Sequence, residues 1–134
     1  RAETRWPDYI GRIESRRSIT GRLSPELTIR RHWESRAWLQ EQLPLGDRSK
    51  TVVVTHHYPN KKSTSPKFVG DDMNVVFGSH LPDELVTQAG LWIHGHSHSS
   101  ADYCMGDGKS YTRVIANPMG YQNWAHDPEV AAQI

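Results

Sequence analysis

Two short apolar runs in this chain stop abruptly at histidines. Thr51-Val52-Val53-Val54-Thr55 leads into His56-His57-Tyr58-Pro59, and Leu91-Trp92-Ile93 leads into His94-Gly95-His96-Ser97-His98. Runs this short, apolar throughout rather than alternating, predict strands buried on both faces. Loops that leave strand ends are where α/β proteins keep their sites, because the sheet fixes the anchor while the loop is free to vary. On extended backbone, residues two apart point to one side. His96 and His98 would then converge, joined by His94 if the chain stays extended through Gly95. Neutral imidazole is a preferred ligand of zinc, iron, manganese and nickel. Six of the 8 histidines lie between His56 and His98. An isolated histidine is more often a surface or hydrogen-bonded core residue, and His32, His80 and His126 are read that way.

Around these strands the sequence predicts an α/β fold with few helices. Residues 1–22 have no sustained period and read as irregular or extended. A helix is expected over 24–43: Ser24 suits the N-cap, Pro25 the first helical position, and Glu26 the positive end of the helix dipole. Ile29, Trp33 and Ala37 recur four apart, with Leu39 and Leu43 widening the stripe, Trp38 off it, and Pro44 and Gly46 as the stop. Residues 51–121 hold the strands and histidine loops. Lys61 to Asp72 reads as a long polar surface loop, and Pro82 to Gln88 as a short helix stopped by Gly90. Gly106-Asp107-Gly108-Lys109 signals a hairpin. Asn117-Pro118-Met119-Gly120-Tyr121 reads as a turn. Three to five strands with two helices make a thin sheet with one side uncovered.

At 134 residues, 36% hydrophobic and 23% charged, the chain is long enough for one folded domain. The net charge of +1 argues against a dedicated nucleic-acid binder, which relies on a basic excess. The arginines of the first segment are interspersed with glutamates and lack an aromatic platform for bases. No apolar run is long enough to span a bilayer. The single cysteine, Cys104, excludes an internal disulfide framework and fits a cytoplasmic location.

Thr55-His56-His57-Tyr58-Pro59 and Gly95-His96-Ser97-His98 resemble the last two metal-binding motifs of the calcineurin-like metallophosphoesterases. Ser35-Arg36-Ala37-Trp38-Leu39, Leu91-Trp92-Ile93-His94, Asp102-Tyr103 and Asn117-Pro118-Met119-Gly120-Tyr121 match the surroundings in a bacterial branch of that superfamily. The resemblance runs from about Leu23 to Tyr121. It implies a two-sheet β-sandwich flanked by helices, of which this chain supplies the C-terminal half. It also implies two divalent metal ions (Mn, Fe or Zn) and hydrolysis of a phosphomonoester or phosphodiester. By position, His56 and His96 would bind one metal and His98 the other. His57 and His94 would support the ligands, while Tyr58 and Asn117 would lie at the pocket. Lys61, Lys62 and Lys67 would attract the phosphate-bearing substrate or simply be solvated.

The first three motifs of that family are absent. No Asp-x-His occurs, there is no Gly-Asn-His, and Gly46-Asp47, Gly70-Asp71 and Gly106-Asp107 are followed at the third residue by Lys50, Asn74 and Ser110. No catalytic residue is therefore expected in this chain, because the histidine assisting the leaving group belongs to a missing motif. The opening Arg1-Ala2-Glu3, without an initiator Met, fits a missing N-terminal half; a complementing chain would serve equally. The chain alone is expected to be inactive. The alternatives are a mononuclear site on His56, His96 and His98, or a non-catalytic metal-binding partner in a split protein.

Overall fold

The computed structural model describes residues 24–107 and 110–119. The expectations for residues 1–22, the Gly108-Lys109 turn tip, Gly120, Tyr121 and His126 lie outside these. Two compact units divide the chain, Arg1–Leu45 and Gly46–Ile134.

The first unit carries helix α1, Pro25–Gln42. Its start follows from sequence chemistry. Ser24 is extended, its hydroxyl accepts from Leu27 N at 3.2 Å, and Pro25 occupies the first turn where no N–H is needed. After Gln42 the backbone tightens into a 3-10 turn, Leu43–Leu45, ending one residue earlier than expected. None of the helix residues is buried, and Ile29 and Trp33 of the anticipated apolar stripe are exposed. Local contacts support it. Arg31 Nη1 donates to Glu34 at 2.9 Å, and the Arg36 guanidinium lies 5.0 Å from the Trp33 ring centroid.

The second unit is built on a four-stranded mixed sheet. Its strands are β1 (Val52–Thr55), β2 (Leu91–His94), β3 (Ala101–Gly106) and β4 (Tyr111–Ala116), in the order β1-β2-β4-β3. β1, β2 and β4 are parallel, with Val53 opposite Trp92 and Trp92 opposite Val114. β3 and β4 form the anticipated hairpin, in register from Ala101 opposite Ala116 to Gly106 opposite Tyr111. Gly106 sits at φ +126°, and a Cβ there would collide with the Ser110 carbonyl, so the turn requires glycine.

One sheet face is the core. Val53, Trp92, Val114 and Thr112 share it with Met105, and the single-turn helix α2, Asp83–Val86, supplies Leu85 and Val86 against them. The Thr112 hydroxyl lies within hydrogen-bond reach of both the Val86 and Ala89 carbonyls, which ties α2 and its exit to β4. The residues of the opposite face are more exposed. Val52 and Val54 are 54% and 71% exposed, and Leu91, Ile93 and Ile115 are half-buried. The expectation that both apolar runs are buried on two faces is thus corrected. Among the described residues β1 lies at the edge of the sheet, and of its three valines only the alternate one, Val53, is buried. No helix among the described residues is long and apolar enough to cross a membrane.

Candidate functional site: a histidine cluster at parallel strand ends

Because β1 and β2 are parallel neighbours with Thr55 opposite His94, their C-terminal ends emerge side by side. The N–H of Gly95 donates to the His56 carbonyl at 3.1 Å, extending the pairing one step past the strands. Trp92 Nε1 donates to Thr55 Oγ1 at 2.9 Å, and that hydroxyl donates to the His57 carbonyl at 2.8 Å. The core thus holds the first histidine pair through its own polar handle.

Three imidazoles meet in the space so made. The ring centroids of His56 and His96 are 4.5 Å apart, those of His57 and His96 4.8 Å, and those of His56 and His57 5.2 Å. Phe77 lies 4.9 Å from His96, with ring planes 34° apart. Burial pushes the His96 pKa down from 6.5 to about 4; the charges of His57, His56 and His98 add to the fall, and a hydrogen bond to the Val76 backbone opposes it. His96 is therefore neutral at pH 7, the protonation state a ligand needs.

Sequence reasoning placed His56 and His96 together, and the structure does so. It also brings the His57 ring into the same cluster. His98 is linked to the group through its charge acting on His96. The route differs from the extended one expected: His96 and His98 have φ of 65° and 51°, left-handed values. The rule that residues two apart share a side does not hold there. His94 is not exposed alongside them. It faces the core row, 5% exposed, with Nε2 2.8 Å from Ser63 Oγ. Asn117 follows β4 at the same edge of the sheet and is exposed.

Tyr58 is not on a pocket rim. It is 1% exposed, donates its hydroxyl to the Asn74 carbonyl at 3.3 Å and accepts from Thr64 Oγ1 at 3.2 Å. It anchors an arm, residues 60–81, within which Lys61 to Asp72 is the stretch expected to be a long polar surface loop. The arm contains three short 3-10 turns, Lys61–Ser63, Pro66–Phe68 and Asp72–Val76. Asn60 and Asp71 cap the first and third by accepting from Lys62 N and Met73 N. It returns beside its own start: Tyr58 N donates to Phe77 O at 3.2 Å, Ser79 N to Tyr58 O at 2.9 Å, and Leu81 N to Pro59 O at 2.8 Å. This return delivers Phe77 and Val76 to His96. Neither residue, nor Ser63, was signalled by the sequence, because 3-10 turns carry no hydrophobic period to read. Lys61, Lys62 and Lys67 are exposed along the arm.

Among the described residues, no group of three or more His, Cys, Asp or Glu is arranged to hold a metal ion. The rings drawn together at the strand ends are those of His56, His57 and His96. No family model, curated protein or solved structure matches the chain.

Proposed function

We propose that this chain carries the histidine side of a dinuclear metallophosphoesterase centre. In this reading His56 and His96 hold one divalent ion (Mn, Fe or Zn) and His98 the other. The carboxylate ligands come from another segment or a complementing chain. The observation that carries the proposal is the pair His56 and His96, side by side at the ends of adjacent parallel strands with rings 4.5 Å apart. The neutral His96 keeps a lone pair for an ion at pH 7. Two cations, once bound, would supply a hydroxide near neutral pH and offset charge on phosphoryl oxygens. The residues of this chain hold the ligand loops in place, and the exposed Lys61 and Lys62 favour the approach of an anionic phosphoester. The more exposed sheet face around Val52 and Val54 is of the kind the second sheet of a sandwich would cover.

The test is metal content per chain, with hydrolysis of an aryl phosphodiester in added manganese, on the wild type and on His96→Gly. Glycine removes the ring at a left-handed position without backbone strain. The expected result is weak metal retention that His96→Gly reduces further, with no turnover by the chain alone. Turnover that survives His96→Gly, or no retention of manganese or zinc even at millimolar concentration, would overturn the proposal. A second reading, a single ion held by histidines alone, is favoured by the His57 ring 4.8 Å from His96. It needs the rings to rotate, and it predicts that His57→Ala weakens binding as much as His96→Gly does.

A further inference from the structure

Behind the cluster, three polar side chains far apart in sequence are joined inside the core. Ser63 Oγ lies 2.8 Å from His94 Nε2 and 2.9 Å from the Tyr103 hydroxyl, while His94 Nδ1 lies 3.2 Å from the Gly95 carbonyl. Ser63 and His94 are 4% and 5% exposed. The direction of each bond follows by elimination. A carbonyl can only accept, so His94 Nδ1 carries the proton and donates to Gly95. With that proton on Nδ1, Nε2 of the neutral imidazole is a bare acceptor, 2.8 Å from Ser63 Oγ. Ser63 must spend its one proton on Nε2, which leaves its oxygen to accept from Tyr103.

The end of this chain of bonds is Gly95, whose peptide groups are engaged on both sides. Its N–H donates to the His56 carbonyl at 3.1 Å, and its carbonyl also accepts from Ser97 N at 2.8 Å. The next residue is His96, already in the left-handed region. The orientation of the Gly95 peptide therefore sets where the His96 ring goes relative to His56.

We infer that Tyr103, Ser63 and His94 form a one-directional hydrogen-bond relay that positions the Gly95 turn, and through it the His96 ring against His56. All three are positioning residues; none is placed at a reacting atom. The relay ties the arm, β3 and the end of β2 to one point, so a change at Tyr103 on β3 is felt at the histidine cluster. Its consequence for metal affinity rests on the reading proposed above; its bond order and its effect on the rings do not.

Long-range proton–nitrogen correlation spectra of the ¹⁵N-labelled chain at pH 7 test the relay without a metal. His94 is expected as the Nδ1–H tautomer. An Nε2–H or doubly protonated ring would overturn the inference using the wild type alone. In Ser63→Ala the ring nitrogen shifts of His56 and His96 are expected to move, and in Ser63→Thr, which keeps the hydroxyl, to return toward wild type. Unchanged shifts in a folded Ser63→Ala would overturn the positioning role. Where the wild type binds zinc, Ser63→Ala should weaken it about 10- to 100-fold, the usual cost of losing such a supporting contact. Equal zinc affinities would count against the relay. A wild type that binds no zinc would instead count against the metal reading, leaving the tautomer and the shifts to decide the relay.

Discussion

Gly78 is where the packing of the arm can be tested most sharply. A Cβ built there would overlap the Tyr58 ring, coming within 2.6 Å of Cζ and closer to the ring edge. Tyr58 has little room to yield: it is buried, with its hydroxyl bonded to Asn74 and Thr64. Gly78→Ala must therefore displace the ring. Overpacking of this kind costs ~1–3 kcal/mol, and losing one of the two hydrogen bonds adds ~1 kcal/mol. Against this, alanine restricts the unfolded chain and returns ~0.5 kcal/mol. The net expectation is a loss of ~2–3 kcal/mol, or ~1–2 M in the urea midpoint for a protein of this size. Equilibrium urea unfolding followed by tryptophan fluorescence measures it directly. The decisive step is to repeat Gly78→Ala in a Tyr58→Leu background, where the overlapping ring atoms are gone. There the substitution should cost almost nothing, giving a coupling of ~2 kcal/mol between the two positions. A Gly78→Ala protein within ~0.5 kcal/mol of wild type, or an equal cost in both backgrounds, would refute the account of how the arm is held.

Three further expectations concern stability. His96 has a folded pKa near 4 against an unfolded value of 6.5, so acid favours the unfolded chain, which takes up the proton first. Its contribution is complete above pH 6.5, falls as pH drops toward 4 and then levels off. Discounted for solvent screening of a half-buried ring, it amounts to ~1–2 kcal/mol, and urea midpoints from pH 8 to 4 should fall less steeply for His96→Gly than for wild type. Thr112→Val removes the buried hydroxyl that reaches the Val86 and Ala89 carbonyls and should cost ~2 kcal/mol by the same unfolding assay. Asp102→Asn breaks the exposed, two-pronged pair with Arg113 and should move the midpoint much less than Thr112→Val, because exposed ion pairs add little.

Much of the frame was legible because its signals are local. Ser24, Pro25 and Glu26 marked the start of α1, the turn at 106–109 marked the hairpin, and the two apolar runs marked β1 and β2. That histidines gather at the ends of those runs was legible too, since strand ends are read from the same residues. What escaped was decided by tertiary context. The insertion of β4 between β2 and β3 is a matter of pairing, not of propensity, and so is the one-sided burial of Val53 between exposed Val52 and Val54. The arm looked formless because its order comes from caps at Asn60 and Asp71 and from a return along Tyr58, features without a period.

Of the described residues, those other than glycine with positive φ are His80, His96 and His98. Each sits where glycine or asparagine would rest at lower energy, by ~1 kcal/mol. Selection for thermal tolerance alone would therefore turn against the histidines first. A directed-evolution campaign rewarding only heat resistance should accumulate Gly or Asn at these three positions. Variants changed at 96 and 98 would emerge hardier and stripped of their imidazoles, whereas a change at 80 would leave the cluster of His56, His57 and His96 intact.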